Sequence, residues 1–458
     1  MKSRNKILFI TILCTLFCSL ICALSACNEE KTSCKENAHS ITAWTQTKAP
    51  TCTAPGTEEA TCDKCNKKLS RSIDATGHNF TSQTTTTAYL KSAATCTELA
   101  VYYYKCANCD AKGTETYTSS SFGEHNWSNG KCLSCGASEG LRYDLCCDGT
   151  YCYYIVSGIY DSTGTDIDIV IPSTYNGLPV TSISENAFSD CYNLTSVTIP
   201  DSVTSIGNYA FARCYFLTSV SIPDSITSIG DYVFVGCYNL TSVTIPDSVT
   251  SIGSLAFYNC RYLTSITIPD SVTSIENLAF YGTEYYNNDS NWENGVLYIG
   301  NFLIKADTSI SGSCTIKSGT LLIADYAFAG CINLTSVNIP DSVTSIGDQA
   351  FIDCINLTNV NIGNSVASIG RLSFYDCTSL SEITVSENNS AYKSIEGSLY
   401  TKDRKTLVQY AIGKTNTSFT IPDGVASIGA EAFYGCTNLT SVTIPDSVTS
   451  IGSLAFYG

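Results

Sequence analysis

A single period governs most of this chain. Ile199-Pro200, Ile222-Pro223, Ile245-Pro246 and Ile268-Pro269 follow one another every 23 residues without a slip. Cys191, Cys214, Cys237 and Cys260 keep the same step, as do Phe188, Phe211, Phe234, Phe257 and Phe280. The phase returns at Cys331, Cys354 and Cys377, and again at Cys436 and Phe456. A repeat this short cannot bury its own apolar face, so neighbouring units must stack and share one continuous core.

The unit from Cys237 to Phe257 shows how. Leu240, Val243 and Ile245 keep the L-x-x-L-x-L spacing of a leucine-rich-repeat strand, with Val243 and Ile245 alternating inward. Pro246-Asp247-Ser248 turns the chain, Pro ending the ladder and Asp able to bond nearby amides. Val249 and Ile252 return to the core from the opposite wall, Gly253 breaks that segment, and Ala256-Phe257 close the coil. Each turn thus offers about seven apolar groups, worth roughly 1.5–3 kcal/mol for each large one. The expected fold is mainly β: a right-handed leucine-rich-repeat solenoid of about ten 23-residue turns, preceded by a small Cys/His-rich region.

From about Leu141 to Gly458 the chain resembles the BspA-like leucine-rich-repeat surface proteins. The likeness is carried by the "NLTSVTIPDSVTSIG..AF..C" units, including Asn193–Phe211 and Asn333–Phe351, and by the opening "VIPSTYNGLPVTSISENAF" at Val170–Phe188. The resemblance implies a bacterial cell-surface protein of a kind that includes adhesins for host matrix proteins. Two stretches interrupt the period, as insertions do in such arrays, near residues 285–310 and 388–415. The first predicts a hairpin of Val296–Ile299 and Phe302–Lys305 around Gly300-Asn301; the second pairs Ser398–Thr401 with Thr406–Tyr410. Being the least uniform surfaces, they are the expected place for a specific ligand, unless the hairpins simply continue the coil.

The first 26 residues read as an export signal: Lys2, Arg4 and Lys6, then an apolar run from Ile7 to about Ala23. Leu24-Ser25-Ala26-Cys27 resembles the bacterial lipobox, which implies lipidation of Cys27 and a membrane anchor on the outer face of the cell. The divisions are therefore 1–26 signal, 27–139 Cys/His-rich region and linker, and 140–458 solenoid. Ser453–Gly458 stops inside a repeat without a polar cap, so a fragment of a longer product, or else pairing through that end, is expected.

The Cys/His-rich region is a second, shorter tandem repeat. Cys52, Cys62-x-x-Cys65 and His78 are followed by Cys96, Cys106-x-x-Cys109 and His125, the cysteines offset by 44 residues. His125 with Cys132 and Cys135 closes the series, and "HSITAW", "GHNF" and "EHNW" each place an aromatic soon after a histidine. A C-x-x-C turn aims two thiolates at one point, and a third Cys with a His completes a tetrahedral zinc site. These segments also resemble small zinc-ribbon-like repeats of exported proteins. Structural zinc is one reading and disulfides or free thiols in an extracellular setting the other. Which histidine serves which trio stays open.

Several features weigh on function. The balance of −16 with only 14% charged residues argues against nucleic acid. Asp201, Asp224, Asp247, Asp270, Asp341, Asp423 and Asp446 form a file read as turn residues rather than calcium ligands. Tyr192, Tyr215 and Tyr238 form another, read as edge packing or a binding stripe. The periodic cysteines read as a buried ladder, and Cys146, Cys147 and Cys152 as disulfide candidates. No histidine follows His125 and no nucleophile or phosphate-loop motif appears, so no catalytic residue is expected. Two roles remain: an adhesin or receptor for host matrix proteins, other surface proteins or glycans, and an envelope spacer.

Overall fold

A computed structural model describes residues 39–458 apart from 97, 129–130, 136, 149–150, 161–166 and 458. The export signal and Cys27 lie outside the described residues. The chain divides into two compact units, one holding residues up to 93 with 100–119, the other holding 94–99 with 120 onward.

The first unit is antiparallel and thin. Thr45–Lys48, Gly56–Thr61 and Lys68–Ile73 pair in that order, with Gly56 opposite Ile73 and Thr61 opposite Lys68. Leu99–Cys106 lies between Phe80–Ser82 and Leu90–Ser92. Its buried apolar groups are few, chiefly Ala60, Tyr89 and Ala100, with the sulfurs of Cys52, Cys62 and Cys106 beside them. A core this small needs cross-linking to hold.

The second unit opens with a hairpin, Leu141–Cys147 against Cys152–Ile159, closed by the disulfide Cys147–Cys152. Cys146 keeps a free thiol. Beyond it two walls of parallel strands build up. One wall includes Ile167–Val170, Leu194–Thr198 and Ser219–Ser221, and later Ser242–Thr244 with Ser265–Thr267. The opposite wall runs through Leu178–Ile183 and Ser205–Ile206, then Ser228–Ile229, Ser251–Ile252 and Ser274–Ile275. Val197 pairs with Val220 and Val243 with Ile266, so the 23-residue sequence step is also the register of the sheets. The mainly β solenoid expected from the period is the fold that forms.

Within a turn the predicted core positions close completely. Leu240, Val249, Ile252, Ala256, Phe257 and Cys237 are fully buried, Val243 and Ile245 nearly so. The phenylalanines stack face to face, Phe257 lying 5.3 Å from Phe234 and 5.4 Å from Phe280. The cysteines form the expected ladder and add a bond: the Cys237 thiol donates to the Phe211 carbonyl at 3.2 Å, and Cys214 and Cys260 repeat the contact one turn away. The Thr and Ser positions that vary so little have a use as well. Thr250 Oγ1 donates to the Thr227 carbonyl at 3.2 Å and Ser248 Oγ to the Ile226 carbonyl at 2.6 Å, each a rung to the preceding turn.

Two details differ from the local reading. Gly253 sits at an ordinary φ, and its role is steric: a Cβ there would come within 2.7 Å of the Gly230 carbonyl carbon in the turn below. The chain reverses instead at a pair of left-handed residues, such as Leu255 with Asn259 and Tyr209 with Arg213. In addition, the side chain at the position of Asn208, just after Gly207, and its equivalents caps the next turn, as Asn208 Oδ1 does for the Asp231 amide and Asp325 Oδ1 for the Asp348 amide.

Both interruptions are hairpins on the expected strands, Val296–Ile299 with Phe302–Ala306 and Ser398–Thr401 with Thr406–Gln409. Each carries a further antiparallel strand, Trp292–Glu293 and Tyr392–Ile395. The second strand of each hairpin pairs in parallel with the next solenoid turn, Leu303 with Ile323 and Leu407 with Ile428. Val296, Leu297, Tyr298 and Ile299 are all buried, so the insertions continue the coil.

Two stability outcomes follow. Phe257→Ala opens a hole in the middle of the ring column and should cost about 3–5 kcal/mol in urea unfolding. Burial pushes the Asp325 carboxyl up to about 7, with Asp348 and Glu276 adding repulsion. Because its folded pKa lies above the unfolded value, its contribution favours folding at low pH and is lost as pH rises through 7. Asp325→Asn keeps the acceptor, as Asn208 does naturally. It should therefore raise stability by about 1 kcal/mol at pH 8, after solvent screening, and by nothing below about pH 4. Unfolding midpoints at the two pH values check the sign.

Candidate metal centres and the solenoid surface

Each Cys-x-x-Cys lies at the tip of a tight β turn. Cys62 follows directly on a strand and its amide donates to the Lys67 carbonyl at 3.0 Å; the Cys106 amide donates to Ala111 and the Cys132 amide to Ala137, both at 2.9 Å. The turn brings the second cysteine of each pair back beside the first. Three groups of ligand-type side chains result among the described residues: His39, Cys62 and Cys65; Cys52, His78, Cys106 and Cys109; and Cys96, His125, Cys132 and Cys135. Within a group every donor atom lies within 4.8 Å of every other. These groups can hold a metal ion.

The grouping cuts across the sequence repeat. Cys52 does not join Cys62 and Cys65, and Cys96 does not join Cys106 and Cys109. Each Cys-x-x-Cys instead takes a histidine from upstream, and the second and third also take a cysteine from before that histidine. His39 was not among the assigned ligands; its place ahead of Trp44 in "HSITAW", a histidine with an aromatic soon after it as at His78 and His125, is the signal that marks it.

The separations are uniform. Cys52 and Cys106 sulfurs are 3.6 Å apart, Cys96 and Cys132 sulfurs 3.5 Å. His39, His78 and His125 each present Nδ1 to the last cysteine of their group, at 3.4, 3.3 and 3.6 Å. Electrostatics divides the thiols. Burial opposes ionisation of Cys62, but the Lys64 and Cys65 amides and His39 outweigh it and bring the thiol down to about 6. Cys106 and Cys132 are lowered to about 6 in the same way, against burial, by turn amides with His78 and His125 respectively. Burial and the neighbouring thiols raise Cys52 to about 11 and Cys96 to about 12. A Cys-x-x-Cys turn thus prepares its first sulfur as a thiolate, and the distant cysteine ionises only against a cation.

On the solenoid, the tyrosine file turns out to be closed on itself. Tyr192, Tyr215 and Tyr238 stack with centroids 5.1 and 4.7 Å apart, and the Arg261 guanidinium covers Tyr238 at 4.7 Å. The facing sides of these rings are taken up by one another, and the Tyr192 hydroxyl donates to Asp190 at 3.1 Å. Asp341 Oδ1 accepts from the Asn364 amide of the next turn, a turn-residue role. Asn356 bonds the Ile332 carbonyl, a ladder role. A cleft of about 610 Å³ lies beside the first insertion, lined by Glu293, Tyr298, Ser313 and Lys317 among others. Lys317 pairs with Glu293 at 2.8 Å and lies 5.5 Å from the centre of the Tyr298 ring.

Comparison with known proteins addresses the solenoid. The chain matches the BspA type leucine rich repeat region over residues 159–287, 298–409 and 405–458. Among solved structures it is similar to a leucine rich cell surface protein from Faecalibacterium prausnitzii at 33% identity, covering 68% of this chain and 73% of that one, with a TM-score of 0.31. A leucine-rich repeat protein from Bacteroides ovatus is 24% identical over 70% of this chain and 91% of its own, TM-score 0.28. The T. pallidum leucine rich repeat protein is 26% identical over 53% and 88%, TM-score 0.31. No curated protein matches. No helix among the described residues is long and apolar enough to cross a membrane. With the family pattern running over most of the stacked turns, the chain belongs to the BspA-type leucine-rich repeat proteins, a family with cell-surface members.

Proposed function

We propose that this chain is a lipid-anchored cell-surface protein whose solenoid binds protein partners, host matrix proteins among them, and whose Cys/His region is folded by structural zinc. The observation that carries the binding reading is where variety resides. Several of the uniform Thr and Ser positions, Ser248 and Thr250 among them, are occupied as rungs between turns, so those positions offer a partner little. The cleft beside Trp292–Lys317 is the non-repeating surface, with an acid, a base and a tyrosine within reach of one another. Protein is favoured over glycan because the stacked tyrosines do not offer the open ring faces on which sugars pack. Cys27 would supply the lipid tether. In this reading the protein performs no catalysis: its three histidines all sit in the ligand groups and none lies in the solenoid.

The zinc reading rests on fit. A tetrahedral zinc with sulfur at about 2.3 Å and nitrogen at about 2.05 Å sets sulfurs roughly 3.8 Å apart and sulfur and nitrogen roughly 3.6 Å apart. The separations of 3.3–3.6 Å in the three groups are close to those edges. A disulfide within a three-thiol group would leave one thiol and the imidazole over, whereas a closed zinc site uses all four. Bound zinc would hold these residues together and supply the folding free energy their thin core lacks.

Two experiments test these readings. The mature chain from Asn28 onward, immobilised against a panel of matrix proteins, should bind one or more saturably. The double substitution Glu293→Ala with Lys317→Ala should weaken that binding by about tenfold, the loss of one interface anchor. No binding across the panel by a folded protein would favour the envelope-spacer role. For the metal, Cys52→Ser should lower zinc content by about one ion per chain. It should expose Cys106 and Cys109 to alkylation while Cys62 and Cys65 stay protected; exposure of Cys62 and Cys65 instead would restore the contiguous trios.

A further inference from the structure

The first turn of a solenoid is its weak point, because its strand edge and the end of its core face water unless something covers them. Here Ile167–Val170 is the outermost strand of its wall, paired on one side with Leu194–Thr198. Its other edge is met by Ser138, three residues past the ligand Cys135. The Ser138 amide donates to the Val170 carbonyl at 3.0 Å and the Val170 amide donates to Ser138 Oγ at 2.9 Å. The Ser138 hydroxyl in turn donates to the Asp168 carbonyl at 3.2 Å. Ser138 is only 7% exposed, and Ala137 beside it, 1% exposed, packs with Cys96, Cys132 and Cys135.

The imidazole of the same group makes a second contact. The His125 ring stacks on Tyr175 at 5.5 Å with 15° between planes. Tyr175 stacks on Tyr143 at 4.0 Å and meets Tyr154 edge-on at 5.0 Å. Tyr143 and Tyr154 belong to the two strands of the opening hairpin, whose Leu141 and Val156 join the solenoid core together with Phe188. Two ligand-bearing segments, one around His125 and one around Cys132–Ser138, therefore touch the two elements that begin the solenoid.

We propose that the Cys96–His125–Cys132–Cys135 group is the solenoid's N-terminal cap, in which a zinc-type divalent cation holds Ser138 on the first strand edge and His125 on the aromatic stack. It rests on the zinc reading above. The remaining two groups lie wholly in the other compact unit and have no such role. Metal at this one site is thus part of the repeat domain, and removing it opens the first turns while leaving distant turns closed.

Hydrogen exchange with metal analysis on the mature chain tests it. In Cys132→Ser with Cys135→Ser, zinc content should fall by one ion, and amides of Ile167–Val170 and Leu141–Cys147 should exchange about tenfold faster or more. Amides of Leu334–Asn338 should not change. Cys62→Ser with Cys65→Ser should also lose one ion yet leave Ile167–Val170 protected. Ser138→Ala, which spares every ligand, should keep its zinc and expose the Val170 amide, so the test does not depend on a variant that may misfold. One ion lost with Ile167–Val170 still protected overturns the cap and leaves the zinc reading standing. A wild-type chain that binds no zinc overturns both.

Discussion

The hydrogen-bonded register between turns is the constraint on which the rest of the structure depends. Once Val243 must sit beside Ile266, and Ser251 beside Ser274, every other position in the turn is held in a column with its equivalents. A column of phenylalanines can then stack ring on ring, and a column of thiols can reach back to the carbonyls of the turn before. A column of Thr and Ser can do the same from outside. Residues recur because the neighbouring turn is the environment, and that environment repeats. The same logic limits what the uniform faces can recognise, since several of their polar groups, Ser248 and Thr250 among them, already have partners one turn away.

The region ahead of the solenoid solves the opposite problem. It has little apolar surface to stack, and its order depends on side chains that converge from far apart in sequence. Cys52 and Cys106 are 54 residues apart and meet at 3.6 Å. Because the second and third groups each span a neighbouring Cys-x-x-Cys, the repeats they draw on are not closed modules. Loss of one cysteine would then loosen two segments at once. The third set ends against the opening hairpin and first strand of the solenoid, so two different ways of holding a chain together meet at Ser138 and His125 within one compact unit.

Most of the solenoid was legible in the sequence because its core positions are invariant in type and strictly periodic. The hairpins at Val296–Ile299 and Ser398–Thr401 were legible for a related reason, being apolar alternations beside turn residues. Their companion strands, Trp292–Glu293 and Tyr392–Ile395, were not, since two or four partly polar residues carry no pattern until a partner lies beside them. The ligand sets were half legible. Residue types and turns pointed to cysteines that do converge, but the 44-residue offset invited each repeat to close on itself, whereas the grouping seen depends on how strands cross in space. His39 also has an aromatic soon after it, but Trp44 lies five residues on, whereas Phe80 and Trp127 lie two residues after His78 and His125. The left-handed pairs were hidden too, because bulky Leu255 and Tyr209 occupy a backbone region where Gly or Asn is the usual signal.

A solenoid made rigid by its own rungs, with recognition proposed where the period breaks and metal proposed at the entry to the first turn, makes physical sense of a protein from a family with cell-surface members. Its central claim is that metal, drawn from interleaved segments, completes that architecture. Anomalous diffraction at the zinc edge from crystals of the mature chain tests it most directly. The account predicts a peak enclosed by Cys52, His78, Cys106 and Cys109 and another by Cys96, His125, Cys132 and Cys135. Peaks among Cys52, Cys62, Cys65 and His78, or disulfide density in place of any peak, would contradict it.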